Sequence, residues 1–362
     1  MKMSRSISAL LLLCVLLSLL PACSKKLVEP EDHDMSVWTV EKAPTYKKKG
    51  VLTRVCLDEG CSYSQSTKVK CAKGLVYEES DEGKLYVTGK GSFNGSFLYI
   101  SSQTPDGRRV DGIDEEAFMD DPDIRYAYVE DGIKELHGYI FAGCTSLFQA
   151  RLPAEGELFD FGHFIGCIAL KRVSLPEKMT EIPMQFMDGC IALCQISIPE
   201  TVTSIEFSAF NLCTSLNEVK LPKGLKNVGA DAFSACSGLS EIVFPEGLET
   251  IRENAFVGCT ALKTVILPAG LKELRELAFA HCIGLQKVYI PASVQGIYVS
   301  SGGFSPFNYC SKDLVLITDA SKPGQGWAEN FNVYYTGLSE TSDPSDGYAY
   351  LQVQYNGQIP TN

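Results

Sequence analysis

Histidine is almost absent from this chain of 362 residues: His33, His137, His163 and His281 are the only four. Cysteine or serine nucleophiles need a positioned base, most often a histidine, so that class of chemistry has few places to live. Positive charge is also short. Lys and Arg number 32 against 44 Asp and Glu, a formal net charge of -12. Such a balance argues against binding nucleic acid or an anionic membrane surface through bulk charge. No glycine loop of the phosphate-binding or dinucleotide type occurs. Beyond the N-terminus there is no apolar run long enough to span a bilayer.

What is present begins with that N-terminus. Lys2 and Arg5 precede the apolar stretch Ile7 to Leu20, followed by Leu20-Pro21-Ala22-Cys23. These are the three parts of an export signal, expected over residues 1–22. Small residues before a cysteine resemble the bacterial lipobox, which implies lipidation of Cys23 and anchoring by several acyl chains. An ordinary cleaved signal with an incidental cysteine is the other reading. Without Lys2 and Arg5 the net charge becomes -14. Residues 23–45 are expected to be a lipid-anchored linker. It opens Ser24-Lys25-Lys26 and turns acidic only from Glu29, which leaves open whether the protein faces the cell surface or the periplasm.

A 23-residue repeat organises the rest. Phe141, Phe164, Met187, Phe210, Phe233, Phe256 and Phe279 are each followed by Cys at the third position and Leu at the sixth. Phe118 fits the same frame with Asp121 in place of Cys. Twelve residues after each of the seven anchors stands a proline, from Pro153 to Pro291. The residues before it alternate, as in Val265-Ile266-Leu267, which predicts a short strand that the proline ends. A second apolar pair, such as Leu248 and Ile251, predicts another short extended stretch. Segments like Asn254-Ala255-Phe256 predict a brief helical turn. One such unit cannot bury its own apolar residues, whereas stacked units share a core. With coils about 4.8 Å apart, nine make a stack roughly 40 Å long. From Phe279 to Phe307 the step lengthens to 28 residues, an insertion around Ser300-Ser301-Gly302-Gly303. After Cys310 the apolar position passes to Leu314.

The pattern L-x-x-(I/V)-x-(I/L)-P followed by A-F-x-x-C-x-x-L resembles the BspA-type leucine-rich repeat of bacterial and protozoan surface proteins. The resemblance covers roughly residues 75 to 335. It implies an α/β leucine-rich-repeat solenoid, strand-rich with short helical turns. The expected form is a right-handed curved stack of about nine coils under a β-rich N-terminal cap. The segment Gly74 to Gly91 resembles the usual capping hairpin. Leu314-Val315-Leu316-Ile317 with Gly326-Trp327 resembles a last repeat. The implied layout is a cap over 46–115, repeats over 116–300, a C-terminal capping repeat over 301–340 and a tail over 341–362. The family implies surface display and binding to host proteins, other cells or matrix, with no catalytic motif to transfer and no cofactor.

The phase also sorts the reactive residues. Cys144, Cys167, Cys190, Cys213, Cys236, Cys259, Cys282 and Cys310 occupy one equivalent site per coil, which predicts a column of buried free thiols rather than disulfides. Cys194 falls at an outer position. Cys56, Cys61 and Cys71 precede the repeats and are the candidates for oxidation, Cys56 and Cys61 closing a small loop. A zinc site there would lack a fourth ligand, so no metal is expected. His163 sits where Ala209 and Ala232 sit and reads as tolerated packing. His281 sits where other coils place glycine, and its side chain diverges from that of Cys282. No catalytic residue is assigned.

What remains is the outward row of the strand face. It is free to vary because its inward neighbours are uniformly apolar. The candidate binding residues on it are Tyr126, Tyr128, Arg151, Arg172, Lys220, Val243, Ile266 and Tyr289. Exposed apolar groups such as the three tyrosines, Val243 and Ile266 are of the kind that anchor interfaces. The expected function is a non-catalytic cell-envelope lipoprotein that binds a protein or cell-surface/matrix ligand. The alternative is a glycan-binding accessory protein of a nutrient-uptake system, with Tyr126, Tyr128 and Tyr289 as sugar platforms.

Overall fold

The structure is a computed structural model, and it describes residues 34–324, 326–328, 331–335, 348–358 and 360. The expected signal, Cys23, His33 and part of the expected tail lie outside these residues. The chain divides into a small unit, Met1–Ser36 with Val55–Ser64, and a large one, Val37–Arg54 with Gln65–Asn362. In the small unit a turn is closed by the Cys61 amide on the Asp58 carbonyl at 3.0 Å, with Gly60 at φ 76°. The Cys56 amide donates to the Tyr63 carbonyl at 2.9 Å.

The large unit is a stack of coils with two parallel ladders. The first runs through Phe97–Ile100, Tyr126–Val129, Gln149–Arg151 and Arg172–Ser174, with residues paired 23 or 29 apart. It resumes as Gln195–Ser197 with Glu218–Lys220, then as Thr264–Ile266, Lys287–Ile290, Val315–Thr318 and Gln352–Gln354. The second ladder starts at the antiparallel hairpin Val76–Glu79 and Leu85–Gly89, as the cap pattern predicts. It passes through Gly112–Ile113, Glu135–Leu136 and Leu158–Phe159. The two-residue strands Glu181–Ile182, Ser204–Ile205, Asn227–Val228, Thr250–Ile251 and Glu273–Leu274 continue it.

Between the ladders the apolar columns meet as the phase requires. Phe210, Phe233, Phe256 and Phe279 stack face to face, 5.1 to 5.2 Å apart. Where Met187 breaks the column, the adjacent Phe186 turns its ring edge-on to Phe164 at 5.6 Å. Each column cysteine donates its S–H to a carbonyl of the preceding coil, at 3.0 to 3.3 Å. All eight are buried free thiols. Burial pushes these thiols well above the ordinary range. Leu314 is fully buried, the place its shifted phase assigns it.

Two expectations are corrected. The predicted helical turns are not helical: no helix occurs among the described residues. Two positions per coil take left-handed backbone, for example Asp231 (φ 55°) and Ala235 (φ 56°). Amides then point along the stack, as Phe233 N–H does to the Ala255 carbonyl at 2.8 Å, instead of four residues back. The fold is therefore a strand-and-turn solenoid. Secondly, Glu241 to Val243 forms no regular strand. Phe244 stands where other coils have Leu221 or Leu267, and its larger ring packs edge-on to Phe256 at 5.5 Å and to Phe279 at 6.4 Å. Ordered strands also lie outside the 23-residue phase. Trp38 is buried and Thr39–Lys42 is a strand paired with Gly50–Val55. Parallel stacking is already present at Phe97–Ile100, and Gln352–Gln354 adds a strand to Val315–Thr318. Their spacings differ from 23, which hides them from a fixed-period reading.

Candidate binding surface

The outward strand row divides into a covered part and an open part. Tyr126 and Tyr128, expected to be exposed, are 1% and 6% exposed. The reason is Trp38, which stands edge-on to Phe97 at 6.2 Å and to Tyr126 at 6.3 Å, with the Arg54 guanidinium 4.5 Å above its ring. Tyr99 stacks on Tyr128 at 4.8 Å. Between Trp38, Tyr128, Gln149 and Arg151 remains a cavity of about 10 Å³, room for one water and no larger ligand. Arg151 is tied in place by the Val129 carbonyl at 2.8 Å, Asp131 at 2.7 Å and the Tyr128 ring beneath it.

From Arg172 onward the row opens. Gln195, Ser197, Glu218, Lys220, Glu241, Thr264 and Lys287 are exposed, while Arg172, Ile266 and Tyr289 are half-buried. Val243 is 53% exposed. Ile266 and Tyr289 are register partners on adjacent strands, and Val243 holds the same repeat phase one coil earlier, so apolar residues follow one another through three successive coils. Lys220 and Arg172 belong to earlier coils of the same row, and Glu241, Thr264 and Lys287 stand two residues before the three apolar members.

A second apolar strip escaped the sequence reading. Phe161, Met184 and Phe207 occupy equivalent positions on three successive coils, in the turn after the second ladder. Met184 and Phe207 are 40% and 43% exposed, and Phe161 meets Tyr139 edge-on at 5.1 Å. The signal was available: this phase holds Gly138, Ala230, Glu253 and Glu276 in other coils, so three large apolar residues in a row stand out.

The histidines are dispersed. His137 Nδ1 lies 3.0 Å from Asp160 Oδ2. His281 stacks on Tyr309 at 4.3 Å, and burial lowers its pKa. His163 is fully buried, and its ring meets Phe186 at 5.2 Å. Burial holds its pKa at about 3. Cys71 is buried with a pKa raised to about 11, first by burial and then by Glu130. Cys194, expected at an outer position, is half-buried. No group of three or more His, Cys, Asp or Glu among the described residues is arranged to hold a metal ion.

Parallel two-ladder coils, a cysteine ladder and a phenylalanine stack define a leucine-rich-repeat solenoid. The pattern of the BspA type leucine rich repeat region matches residues 111–206 and 181–312 in six copies, and the chain belongs to that family. Among solved structures, a leucine-rich repeat protein from Bacteroides ovatus ATCC 8483 is 25% identical. That match covers 68% of this chain and 70% of the other, with a TM-score of 0.54. The T. pallidum leucine rich repeat protein TpLRR is 24% identical over 59% of this chain and 89% of its own, at a TM-score of 0.43. A leucine rich cell surface protein from Faecalibacterium prausnitzii A2-165 is 17% identical over 68% and 95%, at 0.31. No curated protein sequence matches the chain. No enzymatic family is indicated by these likenesses.

Proposed function

We infer that this protein is a non-catalytic cell-envelope lipoprotein, anchored through Cys23, that binds a protein partner on the open part of its strand face. The observation that carries the reading is the strip Val243, Ile266 and Tyr289, an apolar anchor set within a mixed charged surround. Interfaces of this anatomy concentrate their energy in a few central apolar or aromatic side chains, the rim excluding water. Membership of a family of repeat proteins supports a binding role over a catalytic one. The glycan reading loses support, because Trp38 covers the region of Tyr126 and Tyr128 is stacked beneath Tyr99 and Arg151, so that of those three tyrosines Tyr289 alone is left half-buried.

The test is binding of the purified soluble chain (residues 24 onward) to immobilised collagen, fibronectin, laminin and a glycan array. A matrix protein is expected to bind, with at least tenfold loss in a Val243→Glu/Ile266→Glu variant and no loss in Met184→Lys/Phe207→Lys. Failure of every matrix protein to bind the folded chain, or binding that the strand-face variant leaves unchanged, refutes the reading. Incorporation of a labelled fatty acid in cells, lost in Cys23→Ala, checks the anchor. Protease treatment of whole cells then decides surface against periplasm.

A further inference from the structure

Eight cysteines are absorbed by the column between the ladders, but Cys56 and Cys61 are not. They flank the turn Asp58 to Cys61, which brings their side chains together in a hydrogen bond. Gly60, left-handed at φ 76°, makes the tight return possible. On the outer side the Cys56 amide is held by the Tyr63 carbonyl at 2.9 Å, so the arms of the turn are fixed. The Cys56 thiol also donates to Asp58 Oδ2 at 2.9 Å. Cys56 is buried while Cys61 is half-buried, giving one sulfur that solvent reaches and one behind it. A disulfide requires two side chains already in contact on closely spaced backbone, and a closed turn supplies that.

We propose that Cys56 and Cys61 are a redox-active dithiol that closes to a disulfide by exchange with an external disulfide. Cys61, the accessible member, attacks one sulfur of the donor as its thiolate, forming a mixed disulfide and expelling one thiolate. Cys56 then gives up its proton, which the Asp58 carboxylate beside it passes on to the departing thiolate, and attacks the Cys61 sulfur, expelling the second leaving group. The donor disulfide is reduced to two thiols and the protein dithiol is oxidised to one disulfide. The two protein protons end on the two leaving groups. This order follows from access, since Cys61 is the sulfur that solvent reaches, while burial and Asp58 push the Cys56 thiol up to about 11 and thiolates are the attacking species. Cys71 takes no part.

The experiment uses the full chain, reduced and then incubated under native conditions with oxidised glutathione at a concentration that oxidises a reference dithiol peptide. Remaining thiols are alkylated and the digest is read by peptide mass. The segment carrying both cysteines is expected to lose two hydrogen masses in the wild type. In Cys56→Ser the reaction is expected to stop at a glutathione adduct on Cys61, and in Cys61→Ser Cys56 is expected to stay reduced. A wild-type segment that stays reduced overturns the proposal, as does a stable wild-type adduct on Cys61. A disulfide from either cysteine to a third one overturns it equally.

Discussion

His163 makes the stack sensitive to acid, and the size of the effect can be worked out. Its ring fills a position where other coils place Ala209, Ala232, Ala255 or Ala278, and Phe159, Phe164 and Phe186 surround it. Burial lowers its pKa from 6.5 to about 3; the Phe161 backbone works the other way. Neither ring nitrogen meets a partner in hydrogen-bonding geometry. The folded state thus holds the ring neutral, while the unfolded chain takes up a proton below about pH 6.5. Stability from this site is complete above that pH and is lost as pH falls toward 3. One pKa unit corresponds to about 1.4 kcal/mol, so at pH 5 the loss is about 2 kcal/mol relative to pH 8. The assay is urea unfolding of wild type and His163→Ala at pH 8 and pH 5. The variant leaves a void and is less stable at both values, by an amount that cancels when the two pH values are subtracted. The wild type is expected to lose about 2 kcal/mol more than the variant between them. Equal losses in the two proteins would show that the buried ring does not control the acid response.

Other consequences of the stack are checked more simply. Phe233→Ala removes the middle of the stacked rings and is expected to cost about 3–5 kcal/mol, whereas Met187→Leu costs under about 1.5, both read from urea or thermal melts. Ala235→Gly relieves a left-handed backbone position that Gly166, Gly189 and Gly258 already fill in other coils. It is expected to stabilise by up to about 1 kcal/mol, and a lower melting temperature would contradict that. Trp38→Ala should expose Tyr126 and cost about 3–5 kcal/mol; an unchanged melting temperature would mean that the cover is not fastened there. Native thiol titration should reach Cys61 and Cys194 early and the eight column thiols only on unfolding.

The 23-residue phase carried the interior well because each inward residue answers to its copy one coil away. The Cys–carbonyl contacts, the Phe stack and the burial of Leu314 all follow from it, as does the exposure of Gln195, Ser197, Glu218, Lys220 and Val243. It failed where a residue answers to something outside the period. Tyr126 and Tyr128 keep the outward phase, but what lies over them comes from Trp38 and from neighbours such as Tyr99, at spacings that no repeat specifies. The left-handed positions were hidden because residues as ordinary as Leu212 and Ala235 fill them; their conformation is imposed by amides that bond the next coil. The missing strand at Glu241 coincides with one substitution, Phe244 for leucine, whose ring packs edge-on to rings of the next two coils. His163 was legible as packing, but its proton affinity depends on how completely Phe186 and its neighbours enclose it.

The open part of the strand face is small, and its size constrains the partner. Six coils from Arg172 to Lys287, about 4.8 Å apart and three residues wide, give roughly 300 Å² in projection. A stable interface removes about 800 Å² from each partner. The strand row therefore covers less than half of what a tight complex needs, and the partner must also engage an adjoining surface. Ile283 is 63% exposed in the turn that leads into Lys287–Ile290. The strip at Met184 and Phe207 belongs to the turns beyond the second ladder. If a partner wraps from the strands over the incoming turns, Ile283→Asp weakens binding about as much as Tyr289→Ala, and the two changes together cost more than either. If Ile283→Asp is silent while Tyr289→Ala abolishes binding, the contact is confined to the strands. The affinity should then fall in the range of a transient encounter.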